Sequence, residues 1–143
     1  MTKDVERLHN ILLAGKCCSA ALVQLALEVR GESNPQLVQA AGALCMGVQS
    51  GGLCGAATGA ALLLELLCPQ YAADQLVPEL MDWFLAMSGQ RYGSADCRDI
   101  TGEDPLRRKL HCPGLVAQVY EKARELLIEY GCDPAESLSG TEQ

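Results

Sequence analysis

Aromatic side chains are scarce in this chain: one Trp, one Phe and four Tyr make up 4% of 143 residues, although 49% are hydrophobic. The core must therefore be built from Leu, Ala and Val, and the abundance of Leu and Ala, both strong helix formers, predicts an all-α fold. Positive charge is also thin. Eleven Lys and Arg stand against 18 Asp and Glu, giving a net charge of −7, and Arg107-Arg108-Lys109 is the one basic cluster. That excludes a phosphate-tracking surface, and with it DNA or RNA as a partner. Cys-x-x-Cys pairs are missing, so the zinc-ribbon and thioredoxin signatures are absent. There is no glycine-rich phosphate loop with a following lysine. Ser50 and Thr58 have no His/Asp set to activate them, and Asp99 and Asp104 have no general-base partner, which leaves hydrolase chemistry without support. The two histidines, His9 and His111, read as surface residues.

Long apolar runs are lacking too. No charge occurs from Ser33 to Leu64, but Pro35, three Gln, Ser50 and several Gly interrupt the run. Its strongly apolar part, Leu53 to Leu64, is too short to cross a bilayer. Ile11-Leu12-Leu13-Ala14 is likewise too short for a signal-peptide core, which places the protein in the cytoplasm.

The length fits one domain. A first helix is expected over 3–14, closed by Gly15, and a second over 17–30, with Cys18, Leu22, Leu25, Ala26 and Val29 on one inward face. Cys17 falls on the other, polar face. Asn34-Pro35 reads as an N-cap followed by proline at the first helical position, starting a third helix that runs to about Val48. The Gly/Ala-rich stretch after Cys54 predicts a central helix over 54–67. Residues 72–91 form a fifth helix with Leu76, Leu80, Trp83, Phe84 and Met87 on one face, and 93–111 hold only short helical turns. Cys112-Pro113 opens the last helix, 113–130, with an apolar face from Leu115 to Tyr130. The expectation is a single-domain bundle of about five to six helices over 1–132 and a disordered tail over 133–143.

Eight cysteines are many for an intracellular chain of this length. Cys18, Cys54 and Cys97 each follow a helix break, at Gly15, Gly51-Gly52 and Gly93-Ser94, and Cys112 precedes the helix-starting proline. Four thiols at helix starts can gather at one end of a bundle, to bind a soft metal or cluster or to cycle between dithiol and disulfide. Cys54 is the focus. Unpaired N–H groups and the helix dipole favour its thiolate, while burial among Ala and Leu would oppose it. Cys17, Cys45, Cys68 and Cys132 lie on a polar face, inside a helix, at a helix end and in the tail, and read as bystanders. Glycines at 55 and 59 are expected to let a neighbouring helix approach closely. A short echo between Gly15-x-x-Cys18-Ser19-Ala20-Ala21 and Gly51-x-x-Cys54-Gly55-Ala56-Ala57 is within the reach of chance in an Ala-rich chain.

Cys18-Ser19-Ala20-Ala21-Leu22, Cys54-Gly55-Ala56-Ala57-Thr58-Gly59, Cys97-Arg98-Asp99-Ile100-Thr101-Gly102 and Cys112 together resemble the C-GCAxxG-C-C family of redox-active proteins over nearly the whole chain. The tandem Cys17-Cys18 leaves open which of the two is the first site cysteine, and the glycine run ahead of Cys54 is shorter than the family's. The resemblance implies a small helical protein with a four-cysteine redox site and genes often beside transporters. A similar module in split-Soret-type cytochromes implies an iron–sulfur centre. The expected site is therefore Cys18, Cys54, Cys97 and Cys112, holding an iron–sulfur cluster for electron transfer or redox sensing. The alternatives are metal-free dithiol/disulfide or sulfur-carrier chemistry, and binding of zinc without redox change. The partner implied is a redox protein, with a link to a membrane transporter. The chain itself is not expected to span the membrane, and a homodimer stays open.

Overall fold

Gly/Ala-rich residues after Cys54 form a helix at the middle of the molecule. In the computed structural model, which describes residues 2–134, it is α4 (Gly55–Leu67). It packs against α2 (Cys18–Val29), the last helix and the helix that follows Leu76. The pairing with α2 is the most extensive in the fold, and it is set by glycine. A Cβ added at Gly59 would sit 2.6 Å from Ser19 Cα and 3.1 Å from Leu22 Cδ1. The close approach expected at Gly59 is therefore present, and α2 shares the centre with α4: Ala20 to Val23, Leu25 to Leu27 and Val29 are all buried.

Around this pair lie α1 (Lys3–Leu13), α3 (Pro35–Ala41), α5 (Val77–Tyr92), α6 (Cys97–Thr101) and α7 (Pro105–Glu129). A helical turn at Pro69–Tyr71 and a wider one at Ala72–Leu76 lead straight into α5. Leu22, Leu25, Leu63, Leu64, Leu80, Phe84, Tyr120 and Leu127 are fully buried between these helices. Each contributes roughly 2 kcal/mol of apolar burial. No strand forms among the described residues; Leu53 and Asp96 make one isolated antiparallel bridge. The all-α single domain is as expected, with seven helices among the described residues rather than five to six because α6 is a helix in its own right. No described helix is long and apolar enough to cross a membrane. Residues 135–143 of the expected tail lie outside the described residues.

Two boundaries depart from expectation for local reasons. Asn34 caps α3 through Leu37 N–H (3.1 Å), but the helix ends at Ala41, tightens over Gly42–Leu44 and breaks at Cys45. Met46, Gly47, Val48 and Gln49 then all take left-handed φ near +60°. Val48, where the third helix was expected to end, is exposed. Gly47 is required here, because a Cβ on it would lie 2.2 Å from the Gly52 backbone. The last helix starts eight residues before Pro113, at the cap made by Asp104 accepting from Leu106 N–H (3.0 Å) with Pro105 behind it. Cys112 thus lies inside a helix, and Pro113 beside it has no N–H to give the Lys109 carbonyl.

Candidate four-cysteine site

The four cysteines singled out by the motif are unpaired, and the other four are not. Cys17 is bonded to Cys45 and Cys68 to Cys132. Cys18, Cys54, Cys97 and Cys112 all line one cavity of about 420 Å³. Cys68 and Cys132 line no part of it, whereas Cys17 and Cys45, read from sequence as bystanders, do. Cys17 is half-buried rather than solvent-facing, and Cys45 is buried at the break after α3.

Each thiol is brought in by a different element. Cys18 is the first residue of α2, capped by Cys17. Cys54 is the N-cap of α4. Cys97 begins α6, and two backbone bonds set it opposite Cys54: Cys54 N–H to the Ala95 carbonyl (3.0 Å) and Cys97 N–H to the Gly52 carbonyl (2.6 Å). Cys112 comes from two turns inside α7. Gly55 allows the gathering, since a Cβ there would press on Cys45 Cα at 3.3 Å and stand 3.6 Å from Cys18 Cβ.

Burial decides the acidity of Cys54. The Ala56 and Ala57 N–H groups at the helix start favour its anion, as the helix-start argument requires, but desolvation outweighs them and pushes the thiol up to about 11. The expectation of a lowered value is corrected accordingly. Cys18 and Cys112 act on each other in opposite senses: the neighbouring Cys112 holds Cys18 protonated, a tendency burial strengthens. Cys112 moves the other way, lowered by Cys18 and by Arg108, with burial opposing. Cys112 is therefore the thiol of this group best disposed to ionise.

The walls are apolar at Leu12, Ile100 and Val116 and basic at Lys16, Arg108 and Lys109. His9 also faces the cavity, contrary to the surface reading, and its Nε2 is buried without a hydrogen-bond partner, as is Arg108 Nε. Nothing in the sequence around His9 signals this; it follows from α1 packing over the open end of α2. His111 lies outside, half-buried against the Tyr92 hydroxyl.

A helical domain with four unpaired thiols lining one cavity is a cysteine-centred site protein. More specifically, the chain belongs to the family described as "Putative redox-active protein (C_GCAxxG_C_C)", whose sequence model matches residues 16–126. The matched span takes in Cys18, Cys54, Cys97 and Cys112. Neither a curated protein nor a solved structure matches the chain.

Proposed function

We propose that the protein transfers or senses electrons through an iron–sulfur cluster held by Cys18, Cys54, Cys97 and Cys112. The observation that carries this reading is the segregation of the cysteines: four free thiols share one cavity and the other four are paired. Thiolates are the ordinary ligands of such clusters. Among the described residues no three His, Cys, Asp or Glu side chains gather as the ligands of a single ion would. The donor set and the unsatisfied polar atoms fit an anionic group. His9 Nε2 and Arg108 Nε offer hydrogen bonds to it, and Lys16, Arg108 and Lys109 offset its charge. When bound, the cluster would supply one-electron transfer. Leu12, Ile100 and Val116 would keep water from it, which together with the nearby hydrogen bonds tunes the potential.

A second reading is favoured by Cys18 and Cys112 being free thiols on one cavity whose acidities are shifted by each other in opposite directions. In it the two thiols give up two electrons and two protons and join as a disulfide, Cys112 acting first because Arg108 and Cys18 favour its anion. In both readings the electron partner is another redox protein. A link to a transporter, homodimerisation and a place in the cytoplasm belong to the same proposal. A redox titration of protein prepared without oxygen separates the readings. One-electron Nernst behaviour with visible charge-transfer bands is expected. A colourless protein with two-electron behaviour would leave only the dithiol.

A further inference from the structure

We infer that Cys17–Cys45 is a redox-active disulfide, opened by a dithiol reductant through attack at Cys17, and that it fixes the start of the 45–52 loop, Cys45 and Met46, against the four-cysteine cavity. The inference is independent of what the cavity holds. Three separate features point to it.

The first is place. Cys17 and Cys45 both line the cavity, as does neighbouring Lys16, while Cys68–Cys132 ties the end of α4 to the end of α7 away from it. Cys17 is half-buried and adjacent to exposed Lys16, a cation that favours thiolate approach and thiolate release. Cys45 is 3% exposed, which leaves Cys17 as the sulfur to be attacked.

The second is the setting of the leaving group. Ser19 Oγ lies 2.9 Å from Cys45 Sγ and donates to the Ala41 carbonyl at 2.7 Å. When Cys45 departs as a thiolate, the same hydroxyl can turn its proton to the ion, a charge-assisted bond stronger than the one it leaves.

The third is what the bond restrains. Directly after Cys45, Met46, Val48 and Gln49 hold left-handed backbone, unfavourable for a β-branched residue such as Val48. The far end of the loop is held by Arg98, whose guanidinium bonds the Gly51 and Ser50 carbonyls at 3.1 and 3.3 Å. With its near end released, the loop can relax and draw Cys45 and Met46 away from the cavity wall.

The chemistry balances within the reductant and this pair. A thiolate of the dithiol bonds to Cys17 Sγ, the Cys17–Cys45 bond breaks, and its electron pair leaves on Cys45. The second thiol of the reductant then attacks its own sulfur in the mixed disulfide, closes as the reductant's disulfide and releases Cys17. Two electrons have entered the pair, and Cys17 and Cys45 take up the two protons that the dithiol lost.

The test is graded reduction of the native chain with dithiothreitol. Freed thiols are trapped and located by mass spectrometry, and backbone hydrogen exchange is followed in parallel. Cys17–Cys45 should open at a reductant concentration at least tenfold below that needed for Cys68–Cys132, and exchange over 45–52 should quicken with it while α4 stays protected. Ser19→Ala should slow that opening by about tenfold. Simultaneous reduction of both disulfides, or unchanged exchange over 45–52 after Cys17–Cys45 opens, would overturn the inference. A Cys17→Ser, Cys45→Ser chain should show fast loop exchange without reductant. If that chain does not fold, the native reduction series alone decides.

Discussion

Replacing Gly59 by alanine tests the contact on which the site is built. A Cβ at that position would lie 2.6 Å from Ser19 Cα, about 1 Å inside ordinary carbon–carbon contact. The obstacle is backbone of α2, so no side chain can swing away and the two helices must part. Overpacking of this kind costs about 1–3 kcal/mol, and a rigid obstacle puts the expectation toward the upper end. For a domain of this size that is a fall in Tm of roughly 3–10 °C. Because α2 starts at Cys18 and α4 is capped by Cys54, the same displacement separates two site thiols, so the variant should also hold less iron. Gly89→Ala, at an exposed position of α5, is the control, since nothing lies within 4 Å of a Cβ there. It should raise stability by roughly 0.4–1 kcal/mol by restricting the unfolded chain. Differential scanning calorimetry of the two variants reads both signs. A Gly59→Ala protein melting within a degree of the native chain would refute the close α2–α4 approach.

Other consequences are as direct. Burial pushes the Asp4 carboxyl up, but hydrogen bonds from Thr2 and Tyr120 and the charge of Arg124 outweigh it and hold it below its ordinary value. Its contribution is full above about pH 4 and is lost as pH falls through the lowered value, so chemical denaturation should show an acid-side loss of stability that Asp4→Asn reduces. In reduced, metal-free protein, alkylation of Cys112 should have a midpoint below that of an ordinary thiol and Cys54 one near 11; Arg108→Gln should raise the Cys112 midpoint and leave Cys54 nearly unmoved. Cys68→Ser should cost about 2–4 kcal/mol in urea unfolding under oxidising conditions, because the bond it removes spans 64 residues, and the loss should vanish when the native chain is reduced.

Three of the four free thiols that line the cavity stand in short patterns that also shape backbone, among them the glycine-rich break ahead of Cys54 and the turn-ending Gly102 after Cys97, whereas the helix start read at Cys112 is not there. Asn34-Pro35 announced α3 in the same way. Asp104-Pro105 carries an equal signal, an Asx cap with proline behind it, but the charged surroundings and the more conspicuous Pro113 hid it, and α7 begins accordingly early. The break at Cys45 was not legible. Apolar spacing continues through Val48 as though the helix did, and only the close Gly47–Gly52 approach turns the chain aside. Nor could local pattern pair Cys17 with Cys45 or Cys68 with Cys132, since both bonds depend on where helices meet. The acidity of Cys54 illustrates the same division. Its helix-start position was readable, while the burial that overrides it belongs to the packed molecule.

The central claim, that Cys18, Cys54, Cys97 and Cys112 act as one cluster-binding centre, is tested most directly by iron and acid-labile sulfide content of protein purified without oxygen, measured for the native chain and for each of the eight single Cys→Ser variants. The account predicts iron and sulfide in the native protein, lost on substitution of any of those four and retained, in folded protein, on substitution of Cys17, Cys45, Cys68 or Cys132. Protein that takes up no iron and sulfide even on reconstitution, or that keeps its full complement after Cys54→Ser, would contradict it.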